Sequence, residues 1–193
     1  IKEMMLPGLL AIVSPVIIGL IGNQFGMGAE ALGGLLAGAS TVPVNFHLTA
    51  EEAAYILKDS ETSILFLGPE TLDRGLEAAQ IAKINQVVVW GSQESESENF
   101  EIWEKWYGTA LHENPTTNIR PLPHLLYTSG TTGRPKGTDL PPTMFAGGET
   151  IQEHIEALQE SRFSKYGNHL VVGPMYHTGP LSGMRNLVAG VPV

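Results

Sequence analysis

The sequence predicts an α/β protein with a mostly parallel sheet flanked by helices. Short apolar runs rich in β-branched residues alternate along the chain with segments in which apolar residues recur at helical spacing. Parallel strands are buried on both faces and joined by helical crossovers, and this alternation is typical of them. The strand candidates are residues 15–21, 42–44, 63–67, 86–90, 124–127 and 169–172.

The first strand candidate lies in an apolar stretch that is uncharged and, over residues 4–22, long enough to cross a membrane. Prolines and glycines interrupt this stretch, and Val16-Ile17-Ile18 within it has the pattern of a buried strand. A signal peptide is disfavoured because Lys2 is the only basic residue ahead of the stretch and Glu3 follows at once. We therefore predict a core strand here, with a membrane span as the alternative.

The first predicted helix begins after Thr49. Thr49 is a preferred N-cap residue, and Glu52 three positions later completes a capping box, in which each side chain hydrogen-bonds the other residue's backbone. Ala53, Ile56 and Leu57 then recur at helical spacing and should form the buried stripe of the helix.

Two more helices are predicted further along the chain. Residues 69–84 carry a helical pattern. The pair Pro141-Pro142 can open a helix at its first turn, where the missing N–H groups are tolerated. Ile151, Ile155 and Leu158 would give that helix its buried face.

Residues 91–98 are polar and acidic, with alternating serine and glutamate, and should form an exposed loop. Behind this loop, Phe100, Trp103 and Trp106 stand at helical spacing. An aromatic stripe of this kind is more often core than ligand site, so we predict that the three rings are buried.

Composition excludes several classes of partner and site. A chain of 193 residues can bury one substantial core, and the lack of cysteine excludes disulfides, thiolate metal sites and a cysteine nucleophile. The formal net charge of −9 and the pI near 5.1 disfavour nucleic acid and anionic membranes as partners. We expect a cytoplasmic protein without a membrane span, which captures any anionic ligand by local groups.

The most informative motif is residues 127–137, which read Tyr-Thr-Ser-Gly-Thr-Thr-Gly-Arg-Pro-Lys-Gly. Glycines allow backbone N–H groups to approach phosphate oxygens, hydroxyls donate hydrogen bonds, and Lys136 adds a mobile positive charge. The spacing is not that of the common P-loop, because Gly130 and Gly133 are three apart and Gly137 follows the lysine. The motif therefore predicts a different polyphosphate-binding loop, with a surface turn as the alternative.

This motif resembles the signature loop of the adenylate-forming superfamily, which contains acyl-CoA synthetases, adenylation domains of peptide synthetases and luciferases. In that family the loop closes over the β- and γ-phosphates of ATP. The resemblance implies a catalytic role for Lys136 in neutralising these phosphates. It also implies nucleotide contacts from Thr128, Ser129, Gly130, Thr131, Thr132, Gly133 and Lys136.

A second segment, residues 171–179, is similar to the family's strand followed by proline, an apolar residue, an aromatic residue and histidine. In the family this segment lines the acyl pocket, and the histidine lies beside the reacting carboxylate. The resemblance implies that Tyr176 and His177 bind the substrate and that His177 is catalytic. A histidine in this position can also be purely structural.

A third resemblance covers residues 31–45 and 48–52, where a small-residue helix leads to a short strand and then to a capped helix. Its role in the family is packing. Together the three segments extend the resemblance from about residue 15 to the C-terminus. Family segments that follow these ones, and the mobile C-terminal domain, are absent from residues 1–193. The resemblance thus implies a partial N-terminal domain of an AMP-binding ligase, inactive when alone.

The function implied is that of a fatty-acyl-CoA synthetase segment. Such an enzyme joins a small-molecule carboxylic acid to ATP, with Mg²⁺, and transfers the acyl-adenylate to coenzyme A. A carrier-protein thiol is an alternative acceptor, and Thr138-Asp139-Leu140-Pro141 departs from many relatives and leaves the subfamily open. The alternative from another class is a non-catalytic nucleotide-binding or interaction module. No metal ligand is predicted within the chain, and the acid and the oligomeric state stay open.

Overall fold

The structure is a computed structural model, and it confirms the α/β class. It describes residues 17–21, 33–92, 97–109, 117–129, 133–140, 147–165, 167–174, 176–187 and 190. Within these residues a five-stranded parallel sheet is covered by helices, and a separate two-stranded antiparallel hairpin packs against it.

The parallel sheet has the strand order β2-β1-β3-β4-β5. Its strands are β1 (Ile17–Ile21), β2 (Ser40–Pro43), β3 (Ile64–Leu67), β4 (Gln86–Val89) and β5 (Glu101–Ile102). The first four correspond to sequence-predicted strands, and each neighbouring pair runs parallel. The segment 17–21 is thus a strand next to the centre of the sheet, while the rest of the apolar stretch 4–22 lies outside the described residues.

Side chains of the central strands alternate between two hydrophobic clusters, one on each face of the sheet. Leu65 and Leu67 of β3 enter one cluster, whereas Ile64 and Phe66 enter the other. All four side chains are buried. This is why the strand reads as a continuous apolar run, since each residue needs an apolar side chain on whichever face it points to.

Two helices, α1 (Ala50–Asp59) and α2 (Leu72–Ala82), pack on the first face of the sheet. Thr49 caps α1 through the predicted capping box with Glu52, and the predicted stripe of Ala53, Ile56 and Leu57 is buried. Helix α2 follows a 3₁₀ turn at Pro69–Thr71, so the helix predicted over residues 69–84 begins with a tighter turn.

The second face is covered by α3 (Trp103–Gly108), α5 (Thr178–Met184) and the hairpin. Trp106 is buried and lies edge-on to Phe66, with ring centroids 5.3 Å apart, which confirms its core role. The single helical stripe predicted for the aromatic residues is wrong, however. Phe100 precedes the short strand β5 and is buried in the cluster on the opposite face of the sheet. The two extended residues of β5 separate Phe100 from α3, the helix that begins at Trp103.

The hairpin consists of β6 (His124–Thr128) and β7 (Lys136–Leu140), which pair antiparallel. The sequence predicted β6, but not that its partner would be an antiparallel strand directly downstream. Side chains of β2 attach the hairpin to the parallel sheet: the Ser40 hydroxyl donates to the Pro123 carbonyl, and Thr41 hydrogen-bonds the buried His124 ring. These bonds join the two sheets along one edge.

Helix α4 (Ile151–Glu160) has its own capping box between Thr150 and Glu153, which the sequence analysis overlooked. Ile151 and Leu158 are buried as predicted, but Ile155 is only half-buried, and His154 takes the buried position between them. The His154 ring contacts the Gly147 carbonyl through Nδ1. This hydrogen bond offsets part of the free-energy cost of burying a polar ring. The pair Pro141-Pro142 lies outside the described residues.

The prediction of a strand over residues 169–172 is wrong. These residues have no regular secondary structure, and the side chains of Leu170 and Val172 are 88% and 74% exposed. A strand needs a hydrogen-bonding partner as well as an apolar pattern, and this segment pairs with no strand among the described residues. A short 3₁₀ helix at Arg162–Lys165 precedes this segment, and another at Arg185–Leu187 follows α5.

The loop predicted over residues 91–98 is irregular where described, with Gly91 and Glu98 exposed, and residues 93–96 lie outside the described part. In the portion of the chain that the structure describes, no helix is long and apolar enough to cross a membrane.

Candidate nucleotide and acyl site

The phosphate-loop motif forms the tip of the β6–β7 hairpin. Strand β6 ends at Thr128 and β7 begins at Lys136, and these two residues are paired across the hairpin. Thr128, Ser129 and Lys136 are all exposed. The structure therefore brings two hydroxyls and an ammonium group to one end of a rigid two-stranded ribbon. Gly130, Thr131 and Thr132 lie outside the described residues.

Gly133 has the backbone that the motif requires. Its φ angle is +87°, which L side chains rarely adopt, and apart from its chain neighbours no atom of the described residues lies within 4 Å of the position a Cβ would take. The backbone here is thus open to a ligand on the side from which a side chain would exclude it. The described parts of the loop fit a polyphosphate chemically, because open backbone, hydroxyl donors and a cation lie within one turn.

Both arms of the hairpin are attached to helix α1. On the β6 arm the Tyr127 hydroxyl donates a hydrogen bond to the Asp59 carboxylate at 2.8 Å. On the other arm the Tyr55 hydroxyl donates to the Pro135 carbonyl at 3.3 Å, and the Arg134 guanidinium lies 5.5 Å from the centre of the Tyr55 ring. Sequence analysis did not single out Tyr55 or Asp59, because no local pattern relates α1 to a loop some 80 residues away.

Tyr127 also explains the glycine at the end of the motif. Gly137 faces Tyr127 across the hairpin, and a Cβ at this position would lie 3.1 Å from the ring. Glycine therefore lets the phenol cross the neighbouring strand toward Asp59. Burial, and then the hydrogen bond to the Asp59 carboxylate, raise the pKa of the Tyr127 phenol above its ordinary value.

The predicted acyl residues lie at the start of helix α5. The His177 N–H donates to the Pro174 carbonyl at 3.0 Å, and the His177 carbonyl accepts from Leu181 N–H, so the imidazole is presented at the beginning of the helix. His177 is exposed and Tyr176 is half-buried. Their rings are 4.6 Å apart, which places the imidazole beside an aromatic surface.

Two residues from the loop after β2 extend this aromatic surface. Phe46 meets Tyr176 edge-on with centroids 5.8 Å apart, and the His47 ring lies 4.2 Å from that of Phe46. The sequence analysis assigned only packing to this region. Phe46-His47 has the same order of aromatic residue and histidine as Tyr176-His177. This repeated pair is the signal in the sequence that could have identified Phe46 and His47.

The hairpin and the acyl segment share one hydrophobic cluster. Leu126 and Leu140 of the hairpin and Leu181 of α5 are buried together in it, and Tyr176 packs against it. The structure thus brings the strands behind the phosphate loop and the helix behind His177 into the same layer. Whether the loop tip and the imidazole contact one substrate stays a prediction.

Helix α4, which follows the hairpin, does not present a free N-terminus. The N–H groups of Ile151 and Gln152 donate to the carbonyls of Ile119 and Thr117, and Glu153 accepts from the amides of Glu149 and Thr150. These donors are already satisfied within the protein, so they are not available to an anionic ligand. Among the described residues, no three acidic or histidine side chains gather as a metal site.

Comparison with protein families identifies one match, which covers most of the chain. The family model described as AMP-binding enzyme matches residues 20–184. The match begins at the end of β1 and includes the hairpin with its loop and the segment containing Tyr176 and His177.

Individual relatives agree with this match. The chain is 38% identical over 105 residues to a fatty acid–acyl-carrier-protein ligase of Streptomyces coeruleorubidus, covering 54% of the chain and 19% of that protein. It is 30% identical over 105 residues to a crotonobetaine/carnitine–CoA ligase of Salmonella agona, covering 52% and 20% respectively. The chain therefore spans about a fifth of the length of these ligases.

Among solved structures, a red-emitting luciferase from Phrixothrix hirtus has a similar fold. The TM-score is 0.73 with 14% sequence identity, over 97% of this chain and 38% of the luciferase. At this level of identity the likeness shows a shared fold.

Proposed function

Because the chain belongs to the family of AMP-binding enzymes, we propose that it is part of an acid–thiol ligase that activates a carboxylic acid with ATP. In this proposal residues 1–193 are a partial N-terminal domain of that enzyme. The observation that carries the proposal is the hairpin, which presents an open backbone at Gly133 together with the exposed Ser129 and Lys136 at a single tip.

The first half reaction joins a carboxylate oxygen to the α-phosphorus of ATP and breaks the bond to pyrophosphate. Negative charge grows on the departing phosphates, so positioning and charge neutralisation are the main tasks of the protein. Lys136 would neutralise the leaving pyrophosphate. Hydrogen bonds would come from the loop, with donors at Thr128, Ser129, Gly130, Thr131, Thr132 and Gly133.

ATP would enter as its Mg²⁺ complex, in which the ion supplies further neutralisation of phosphate charge. Lys136 and the loop amides would bind the phosphate oxygens of this complex.

Tyr176 and His177 would bind the acid. The Tyr176 ring offers an apolar surface, and the exposed imidazole next to it can donate a hydrogen bond to a carboxylate. Such an arrangement orients the carboxylate for attack while the rest of the acid lies against the rings. We propose a fatty acid as the substrate, supported by the similarity to the fatty acid ligase of Streptomyces.

In the second half reaction a thiol attacks the acyl carbon and displaces AMP. We propose coenzyme A as the acceptor, by analogy with the carnitine ligase. A carrier-protein thiol is the alternative, and the Streptomyces relative favours it. Assays with both thiols separate these acceptors.

The test is ATP–pyrophosphate exchange with the complete gene product and a panel of fatty acids. A Lys136→Ala variant should lose roughly tenfold to a hundredfold in the adenylation rate, since a charge-assisted hydrogen bond contributes about 1.5 to 3 kcal/mol. Thioester formation from preformed acyl-adenylate should be spared.

The matched control is Lys105→Ala, which removes an exposed lysine from α3. It should leave both half reactions unchanged. No fatty-acid-dependent exchange in the complete gene product would refute the ligase proposal and favour a non-catalytic module. A wild-type adenylation rate in Lys136→Ala would refute the role of the loop.

A further inference from the structure

The hairpin contacts helix α1 through two residues on one face of that helix. Tyr55 and Asp59 are four positions apart, which places them one above the other on an α-helix. Asp59 accepts from Tyr127 on the arm that enters the phosphate loop, and Tyr55 donates to Pro135 on the arm that leaves it. One helical face therefore contacts both arms of the loop.

Helix α1 is itself held firmly in place. Its opposite face buries Ala53, Ala54, Ile56 and Leu57 against the parallel sheet, and a capping box closes its N-terminus. A loop attached to this helix takes its position from the core of the protein. The glycine-rich loop has no buried side chains of its own among the described residues 129 and 133–136, so it depends on such external contacts.

Asp59 stands at an unfavourable place for helix stability. It is the last residue of α1, where the partial negative charge of the helix end opposes a carboxylate. The interaction with Tyr127 compensates for this placement, and Gly137 leaves the room that the phenol needs to reach it. Helix α1 and both strands of the hairpin thus meet in one contact at the base of the loop.

We propose that Tyr55 and Asp59 of α1 are positioning residues, which hold the two arms of the hairpin, residues 127–129 and 133–137, in place before the nucleotide binds. This inference rests on the proposed function of the loop. Ordering a loop in advance lowers the entropy that binding has to overcome, so loss of these contacts should weaken the grip on phosphates. Neither residue needs to touch ATP.

The test uses the complete gene product with Asp59→Ala, Tyr127→Phe and the double variant. The first measurement is amide hydrogen exchange of residues 129–137 without nucleotide. Loss of one hydrogen bond to a charged group should speed loop exchange by about tenfold in each single variant. The double variant should exchange no faster than either single one, because both remove the same bond.

The second measurement separates KM from kcat for ATP in the adenylation reaction. The KM for ATP should rise about threefold to tenfold in the single variants, in line with the looser loop. Asp59→Asn, which keeps an acceptor oxygen, should recover part of the loss. Tyr55→Phe keeps the ring and loses the hydroxyl, and it tests the other arm independently.

The matched control is Glu51→Ala, which removes an exposed carboxylate from the first turn of the same helix. It should change neither loop exchange nor KM. Unchanged loop exchange in Asp59→Ala, or faster exchange with an unchanged KM, would overturn the positioning role. Absence of adenylation in the wild-type protein would instead refute the proposed function, and loop exchange would then decide alone whether α1 orders the loop.

Discussion

The residues of the candidate site differ in how far their side chains are exposed to solvent. Lys136 and His177 are exposed, whereas Tyr127 is partly buried and bonded to Asp59. Exposed groups contribute little to folding, so their substitution should report on chemistry with little loss of stability. Tyr127 connects the loop to helix α1, so its substitution should change both the stability of the protein and the position of the loop.

His177→Ala in the complete gene product should impair adenylation of the acid more than ATP binding, because the imidazole lies beside the aromatic surface that we propose for the acid and not on the hairpin. ATP affinity and single-turnover adenylation are the two measurements. Lys105→Ala, which removes an exposed side chain of α3, is the control. Equal loss of both activities, or lowered thermal stability alone, would indicate a structural histidine.

Tyr127 should make stability depend on alkaline pH. Its folded-state pKa is raised, so the unfolded chain releases the phenolic proton first as the pH rises past about 10. The stabilisation is complete below that pH and is lost as the pH approaches the folded-state pKa.

Urea unfolding of wild type and Tyr127→Phe at several pH values measures this effect. The free energy of unfolding should fall more steeply above pH 10 in the wild type than in the variant. Parallel curves would contradict the link between Tyr127 and Asp59.

Among the structural elements, helix α1 is central because it serves both the core and the loop. Its N-terminus is fixed by Thr49, whose hydroxyl accepts from the Glu52 N–H at 3.3 Å, while the Glu52 carboxylate accepts from the Thr49 N–H at 2.9 Å. Its far end carries Asp59 and the hairpin contact. Fraying of α1 at either end should therefore weaken the contacts that hold the loop.

Thr49→Ala should lower the free energy of unfolding by about 1 kcal/mol, since a helix N-cap contributes roughly 0.5 to 2 kcal/mol. Thr49→Ser keeps the hydroxyl and should retain most of the stability. Urea denaturation followed by circular dichroism measures both variants. Equal losses in the two variants would show that the methyl group, rather than the cap, stabilises this position.

At the level of the whole molecule, the described chain has one parallel sheet with helices on one face and the hairpin, α3 and α5 on the other. The candidate groups lie on the surface of this second layer. Electrostatic stabilisation of developing charge is weak in contact with bulk water. The chain also spans only about a fifth of the ligases it matches.

We therefore predict that the 193-residue chain alone does not make acyl-adenylate at a measurable rate. Pyrophosphate exchange with ATP and fatty acids, compared with a heat-inactivated sample and with the complete gene product, tests this. Turnover of the short chain close to that of the complete gene product would contradict the prediction.

Local patterns in the sequence determined much of the fold. The continuous apolar runs of β1, β3 and β4 predicted buried parallel strands, and Thr49 with Glu52 predicted the start of α1 to the residue. The glycines of the loop motif predicted a tightly curled backbone, and Gly133 has the positive φ angle that such a backbone requires. These features depend on neighbours within a few positions, and a sequence displays such relations directly.

Only the tertiary structure decided which distant segments meet. Strand β6 takes β7 as an antiparallel partner, and residues 169–172 form no strand despite an apolar pattern. Phe100 and Trp106 lie on opposite faces of the sheet, and Asp59 meets Tyr127 across 68 positions of the chain. Strand pairing and side-chain contacts of this kind depend on the packing of the whole chain, which overrides local periodicity wherever a partner is present or missing.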